Sequence, residues 1–262
     1  MRRPRPVILF ALLATVGACA HRRAPLSGAI VTDRPDFTES TSIVPTGHAQ
    51  VETGHTTATE SDEHVVTTGE VLYRHGLSSR TELRLALNSF ARTKTAGGEL
   101  RGFEDAGIGV KVALWDQPAS APWLPTTSVI VASSLPTGAR GYRARTLQPE
   151  IKLLLDWEVT ERFGLGSNLN AYSVAGAFGG RVAEYAASLV AGYDLTARFG
   201  IYGEYIGHVA PAVTGGRQHW ASGGLSYLVT PNLQLDLRGG RLVRDAHLMR
   251  DNFFGVGVST RW

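Results

Sequence analysis

The sequence predicts an all-β chain: a transmembrane antiparallel up-and-down β-barrel of about 12 strands, preceded by an N-terminal signal peptide. Three observations lead there. Segment after segment alternates apolar and polar residues, short polar turns alternate with long glycine-rich connections, and the chain opens on a charged and then apolar leader. Of 262 residues 43% are hydrophobic and only 19% charged, below the roughly 25% of soluble domains, and 30 are glycine. The mean hydropathy of −0.05 excludes a bundle of membrane helices.

The leader runs "MRRPRPVILFALLATVGACAHRR". Arg2, Arg3 and Arg5 precede an apolar run from Val7 to Ala18, then small residues. That order describes a secretory signal peptide over residues 1–20, and the run falls short of the ~20 apolar residues of a spanning helix. Two processing sites overlap. Ala18–Ala20 is a small-x-Ala site, whereas Val16–Cys19 has the form of a lipobox, in which Cys19 is lipidated. Cys19 is the sole cysteine, so a mature chain has no disulfide and no Cys metal site. A pI of about 9.2 and a net charge of +3 suggest an anionic partner. Arg2, Arg3, Arg5 and Arg22 lie in or beside the leader, however, so no nucleic-acid partner is expected. Residues 21–46 are then a periplasmic N-terminal segment and 47–262 the barrel.

Period-two alternation carries the strand assignment. Leu83, Leu85 and Leu87 alternate with Glu82, Arg84 and Ala86; Ile151, Leu153, Leu155 and Trp157 with Glu150, Lys152, Leu154 and Asp156; Leu233, Leu235 and Leu237 with Gln234, Asp236 and Arg238. A recurring turn joins the segments: "LSSRTEL" from Leu77, "VTERFGL" from Val159, "LTARFGI" from Leu195 and "VTPNLQL" from Val229. The last three recur about every 35 residues, one strand pair with its two connections. The other connections are long, among them "LNSFARTKTAGGELRGFEDAG", "PTGARGYRART", "AFGGRVAE", "HVAPAVTGGRQ" and "LVRDAHLMRDN". Short periplasmic turns and long external loops are the asymmetry of a Gram-negative outer-membrane barrel. One long connection, "DQPASAPWLPT" after Trp115, falls on the periplasmic side without an evident reason.

The last strand, "FFGVGVSTRW", puts Phe254, Val256, Val258, Thr260 and Trp262 on one face. Its form resembles the signal read by the outer-membrane assembly machinery, the expected partner at Trp262 alongside outer-membrane lipid. Tyr185, Tyr193, Phe199, Tyr205 and Tyr227 share the apolar phase near strand ends, as aromatic girdles do. In a soluble sandwich the apolar face turns inward; in a membrane barrel it faces lipid and the polar face lines the lumen. The barrel reading therefore places Glu70, Arg74, Glu82, Arg84, Lys111, Glu150, Lys152, Asp156, Glu184, Tyr202, Glu204, Asp236 and Arg238 in the lumen. Their signs balance, so they brace the interior with ion pairs or, alternatively, form a polar conduit for a small solute, and they predict no strong ion selectivity.

Enzyme motifs are lacking. His55, His64, His75, His208, His219 and His247 are scattered, and no G-x-S-x-G or H-E-x-x-H occurs. Ser188, Ser222 and Ser226 fall on inward faces, away from a lipid substrate. No catalytic residue, metal site or cofactor is expected, a lipid-modifying enzyme being the weakest alternative.

The segment "TDRPDFTES", Thr32–Ser40, followed by Pro45, Gly47, Gln50 and Glu52, resembles the start of the meta-pathway phenol-degradation family of transporter-like outer-membrane proteins. "SSLPTG" at Ser133–Gly138 and the L-T-x-R-F-G turns continue the resemblance across the mature chain; the lipobox departs from it. The resemblance implies a barrel that passes small, aromatic or hydrophobic compounds. A structural or receptor barrel with a closed lumen is the alternative. Thr32–Ser40 itself lies just before the first strand, where Pro35 disfavours helix at Arg34. The expectation is a plug or seal in the periplasmic mouth. Asp33, Arg34, Asp36 and Glu39 would pair with Arg84, Asp156, Glu82 or Lys152, and Phe37 would anchor it.

Overall fold

The computed structural model describes residues 26, 28–60, 63–176, 180–210, 216–245 and 251–262. The expected signal peptide, Cys19 and His247 lie outside them. Fifteen strands form one antiparallel sheet: β1 (Ala49–Glu60), β2 (Glu63–Thr68), β3 (Val71–Ser78), β4 (Thr81–Leu87), β5 (Phe90–Thr95), β6 (Gly98–Phe103), β7 (Ala106–Trp115), β8 (Thr126–Leu135), β9 (Gln148–Thr160), β10 (Phe163–Ala175), β11 (Arg181–Asp194), β12 (Phe199–Ala210), β13 (Gly216–Thr230), β14 (Leu233–Asp245) and β15 (Asn252–Arg261). β1 pairs with β15 from Gln50↔Arg261 to Thr59↔Asn252 and closes the sheet on itself. Setting aside β2, β5 and β6 leaves twelve wall strands, an even number, with no open edge in the wall.

The interior and exterior are inverted relative to a soluble protein. Large apolar side chains such as Val131, Ile151, Leu169, Leu189, Tyr205, Leu235 and Phe254 are exposed on the outer face, where lipid covers them. Fully buried inside are Arg74, Lys111, Gln50, Glu52, Glu82, Asn168 and Ser259. The register decides this face by face. Lys111 pairs with Ile130 and with Glu82, both inward, while Val110 pairs with Val131 and Leu83, both outward.

One connection and one strand pairing differ from the sequence expectation. "LNSFARTKTAGGELRGFEDAG" is not an irregular loop but contains the hairpin β5–β6. β1 pairs with β3 only over Ala49–Glu52 and then changes neighbour to β2 over His55–Glu60. The change falls at Gly54, whose carbonyl accepts from both Gly69 and Glu70. β2, β5 and β6 therefore continue the sheet as a branch above β3. Its free edge rests on the β8–β9 loop, where the Ala139 N–H donates to Phe103 O at 2.7 Å and the Tyr142 hydroxyl to Thr93 Oγ1 at 3.0 Å. Alternation in β5 and β6 is weak because one face meets that loop rather than lipid.

The long periplasmic connection, 116–125, now has a physical account. It folds back beneath β9: the Trp157 Nε1–H donates to Trp123 O at 2.9 Å, and Gln117 Oε1 accepts from the Glu158 N–H at 2.8 Å. Trp115, Trp123 and Trp157 thus gather at one point of the periplasmic rim, the level at which indole rings favour a bilayer boundary.

Candidate functional site

The chain ahead of β1 lies inside the barrel. It enters at the periplasmic end, where the Ile30 N–H donates to Pro231 O in the β13–β14 turn, and leaves at the same end, where Gly47 donates to Gly76 O in β3. Between these ties, residues 31–46 loop up and across the lumen. An irregular backbone inside a membrane protein must find partners for its N–H groups on the wall, and carboxylates supply them. Glu52 accepts from the N–H groups of Asp33 and Arg34, Glu204 from those of Phe37 and Thr38, Asp156 from Thr41 and Glu82 from Val44, all between 2.7 and 3.1 Å. Asn168, its amide oriented to satisfy both groups, pairs with the Glu39 backbone. The wall thus presents acids to a segment of bare donors, and that is why acids recur on inward positions of β1, β4, β9 and β12.

Asp33 is the electrostatic centre. It lies 2.5 Å from Arg84 Nη1, 3.0 Å from Lys111 Nζ and 3.4 Å from Arg74 Nη1, and it accepts from both the Ser40 N–H and hydroxyl at 2.9 Å. Burial raises its carboxyl pKa, but Arg74, Lys111 and Arg84 outweigh burial and hold it well below the usual aspartate range. Glu39 bridges Arg84 at 2.6 Å and Lys152 at 3.0 Å. Burial raises it too, and Lys152 with Arg84 more than compensate. Arg34 turns the other way, to Glu70 at 2.9 Å and Asp236 at 3.5 Å. It fits because Gly54 and Gly257 carry no side chain; a Cβ on either would fall inside the Arg34 guanidinium or against its Nε.

The thirteen residues assigned to the lumen face inward, and most of them meet the segment. Glu70, Arg74, Glu82, Arg84, Lys111, Lys152, Asp156, Glu204 and Asp236 contact it directly. Arg238 approaches Pro35 O at 3.5 Å and pairs with Glu70; Glu150 reinforces Lys152; Glu184 and Tyr202 sit on the wall. The expected partners were partly different. Asp33 and Glu39 do take Arg84, and Glu39 takes Lys152, but Arg34 pairs with Glu70 and Asp236, and what Glu82 and Asp156 take from the segment is the Val44 and Thr41 N–H groups and not a charged side chain. Phe37 is not a buried anchor: its ring is 40% exposed into the upper lumen and its N–H is what the wall holds. Sequence reasoning missed Glu52, Gln50, Thr38 and Thr41. Gln50 and Glu52 share the inward phase of β1, but the threonine-rich outer face of that strand hides the alternation.

Two cavities flank the segment. The upper one, 1120 Å³, opens outward and has Tyr172, Ile206, Trp220, Phe253, Lys152 and Arg238 among its walls. The lower one, 690 Å³, opens to the periplasmic turns. Arg34, Pro35 and Asp36 line both and are the partition between them. Among the described residues no cation pairs with Asp36: burial and the neighbouring Glu204 push its carboxyl well above the usual aspartate range.

A closed twelve-strand barrel with an apolar exterior and a chain-filled polar lumen is an outer-membrane barrel. Residues 32–262 match the family described as "Putative MetA-pathway of phenol degradation", and the chain belongs to that family. Its fold is that of the COG4313 outer membrane channel from Pseudomonas putida F1, with a TM-score of 0.64 at 13% identity, covering 87% of this chain and 99% of that one. It is also that of the NanC porin, with a TM-score of 0.58 at 11% identity over 80% of this chain and 98% of that one. No curated protein sequence matches it significantly.

Proposed function

We propose that this protein is an outer-membrane channel for small, partly aromatic solutes, closed at rest by residues 31–46. The observation that carries the reading is the partition: two cavities lie on either side of a segment that crosses the lumen, and Arg34, Pro35 and Asp36 of that segment line both. A purely structural barrel needs no such cavities. The family and the channel fold support the same conclusion. The upper cavity suits a planar solute bearing a hydroxylate or carboxylate. Tyr172, Trp220 and Phe253 offer ring faces, Arg238 stacks 5.6 Å from the Phe253 ring centre, and Lys152 stands nearby.

Liposome swelling with phenol, benzoate and a neutral sugar tests this, using the wild-type barrel and a 32–40 deletion. Faster entry of the aromatic solutes through the deletion variant is expected. Impermeability of both barrels to every solute would instead establish a closed structural or receptor barrel.

A further inference from the structure

On the outer surface, far from the lumen, neighbouring strands lose their bulk at one spot. Ala187 on β11 pairs directly with Gly207 on β12, and Ala171 on β10 pairs with Tyr185. These small outward residues expose the sheet backbone along a groove of 620 Å³. Large apolar side chains wall it: Ile151, Leu169, Tyr185 and Val209, all exposed to the bilayer. The groove lies in the external half of the barrel, because Gly207 and Val209 are near the outer end of β12 and Tyr185 near the outer start of β11.

Its upper edge is polar. Arg217 on β13 is exposed and in register with Val209, and His219, in register with Gly207, has its ring fixed by the Tyr205 hydroxyl at 2.6 Å. A cation beside an apolar trench, at the outer leaflet, complements a lipid that combines an acyl chain with a phosphate. The outer-leaflet lipid of a Gram-negative membrane that meets both demands is lipid A. We propose that this groove binds one acyl chain of lipid A, with a lipid A phosphate at Arg217. The barrel wall would then carry a fixed lipid on its β9–β13 side. This inference needs only the barrel's membrane orientation and is independent of transport.

The test uses full-length barrel, delipidated in detergent, and native mass spectrometry with lipid A and, separately, phosphatidylglycerol. One bound lipid A is expected, retained in preference to phosphatidylglycerol. Arg217→Glu should lower lipid A retention about fivefold, the scale of losing one partly exposed ion pair. Gly207→Leu fills the trench from a position where a Cβ meets only ordinary contacts, 3.8 Å from His219 Nδ1, so the barrel should close normally while lipid A is lost. Heat-shifted electrophoretic mobility confirms folding of each variant. Equal retention in the wild type and both folded variants would overturn the proposal. So would equal retention of phosphatidylglycerol, or a lipid-free dimer in place of the lipid-bound monomer.

Discussion

Replacing Asp33 by Asn removes one charge from the densest ion cluster in the protein. Arg84 would keep Glu39 at 2.6 Å and Glu82 at 2.9 Å, and Arg74 would keep Glu52 at 2.9 Å and Glu82 at 2.8 Å. Lys111 fares worse: its remaining carboxylate is Glu82 at 3.9 Å, supplemented by Ser40 O at 2.8 Å. The substitution therefore leaves a fully buried ammonium nearly uncompensated. Breaking one side of a buried ion pair costs about 3–5 kcal/mol. The penalty falls on the docked segment, because undocking admits water to Lys111. That shifts docking by a factor of about 10²–10⁴. Planar-bilayer recordings should show long open events in Asp33→Asn that the wild type lacks. Adding Lys111→Met, which removes the orphaned charge, should restore most of the closed time. Wild-type closure in Asp33→Asn, or no rescue by the second substitution, would refute the assignment of Asp33 and Lys111 as the coupled pair.

Four more outcomes follow from the same geometry. Deleting 32–40 should raise conductance while leaving the heat-shifted mobility of a closed barrel, since the β1–β15 seam lies outside the deletion. Docking should weaken as pH rises: a raised Asp36 pKa means its contribution is complete below the ordinary aspartate range and is lost as pH climbs through the raised value. Asp33 and Glu39, both depressed, act oppositely and fail only in strong acid, so open probability followed upward from the ordinary aspartate range should rise with pH in the wild type and stay flat in Asp36→Asn. Gly76→Ala should free the exit of the segment, because a Cβ there strikes the Val44 and Pro45 carbonyls; protease cleavage near residue 45 of the folded barrel would report it. Trp123→Ala should leave conductance unchanged but lower the unfolding temperature in bilayers more than in detergent, as loss of an interfacial indole would.

The wall was legible in the sequence because lipid enforces strict alternation. Leu83/Arg84 or Leu235/Asp236 could point only one way once the exterior was known to be apolar. The three extra strands were not legible. Where β1 changes neighbour at Gly54, the sheet leaves the strict inside–outside environment, and Thr93 or Gly102 then answers to the β8–β9 loop instead of lipid. The segment inside the barrel was half visible. Its charges announced ion pairing, but the pairing scheme depends on which wall residues stand at equal depth, which tilt and register decide. The two halves of the family resemblance, Thr32–Ser40 and the Gln50/Glu52 pair, read in sequence as neighbours along the chain. In three dimensions they are receptor and ligand: Glu52 accepts from the Asp33 and Arg34 N–H groups, and Gln50 donates to Val31 O at 2.9 Å.

The partition at Arg34, Pro35 and Asp36 also fixes where a driving force acts. Two open compartments in series with a barrier between them behave as two low resistances joined by one high resistance. An applied voltage or a solute gradient would then drop mainly across the segment between them, of which Arg34, Pro35 and Asp36 face both cavities. Substitutions in either cavity should change which solutes gather there, whereas flux should respond steeply only to changes at the floor. On the proposed channel reading, selection of solute and control of passage would fall to separate residues and could be altered one without the other.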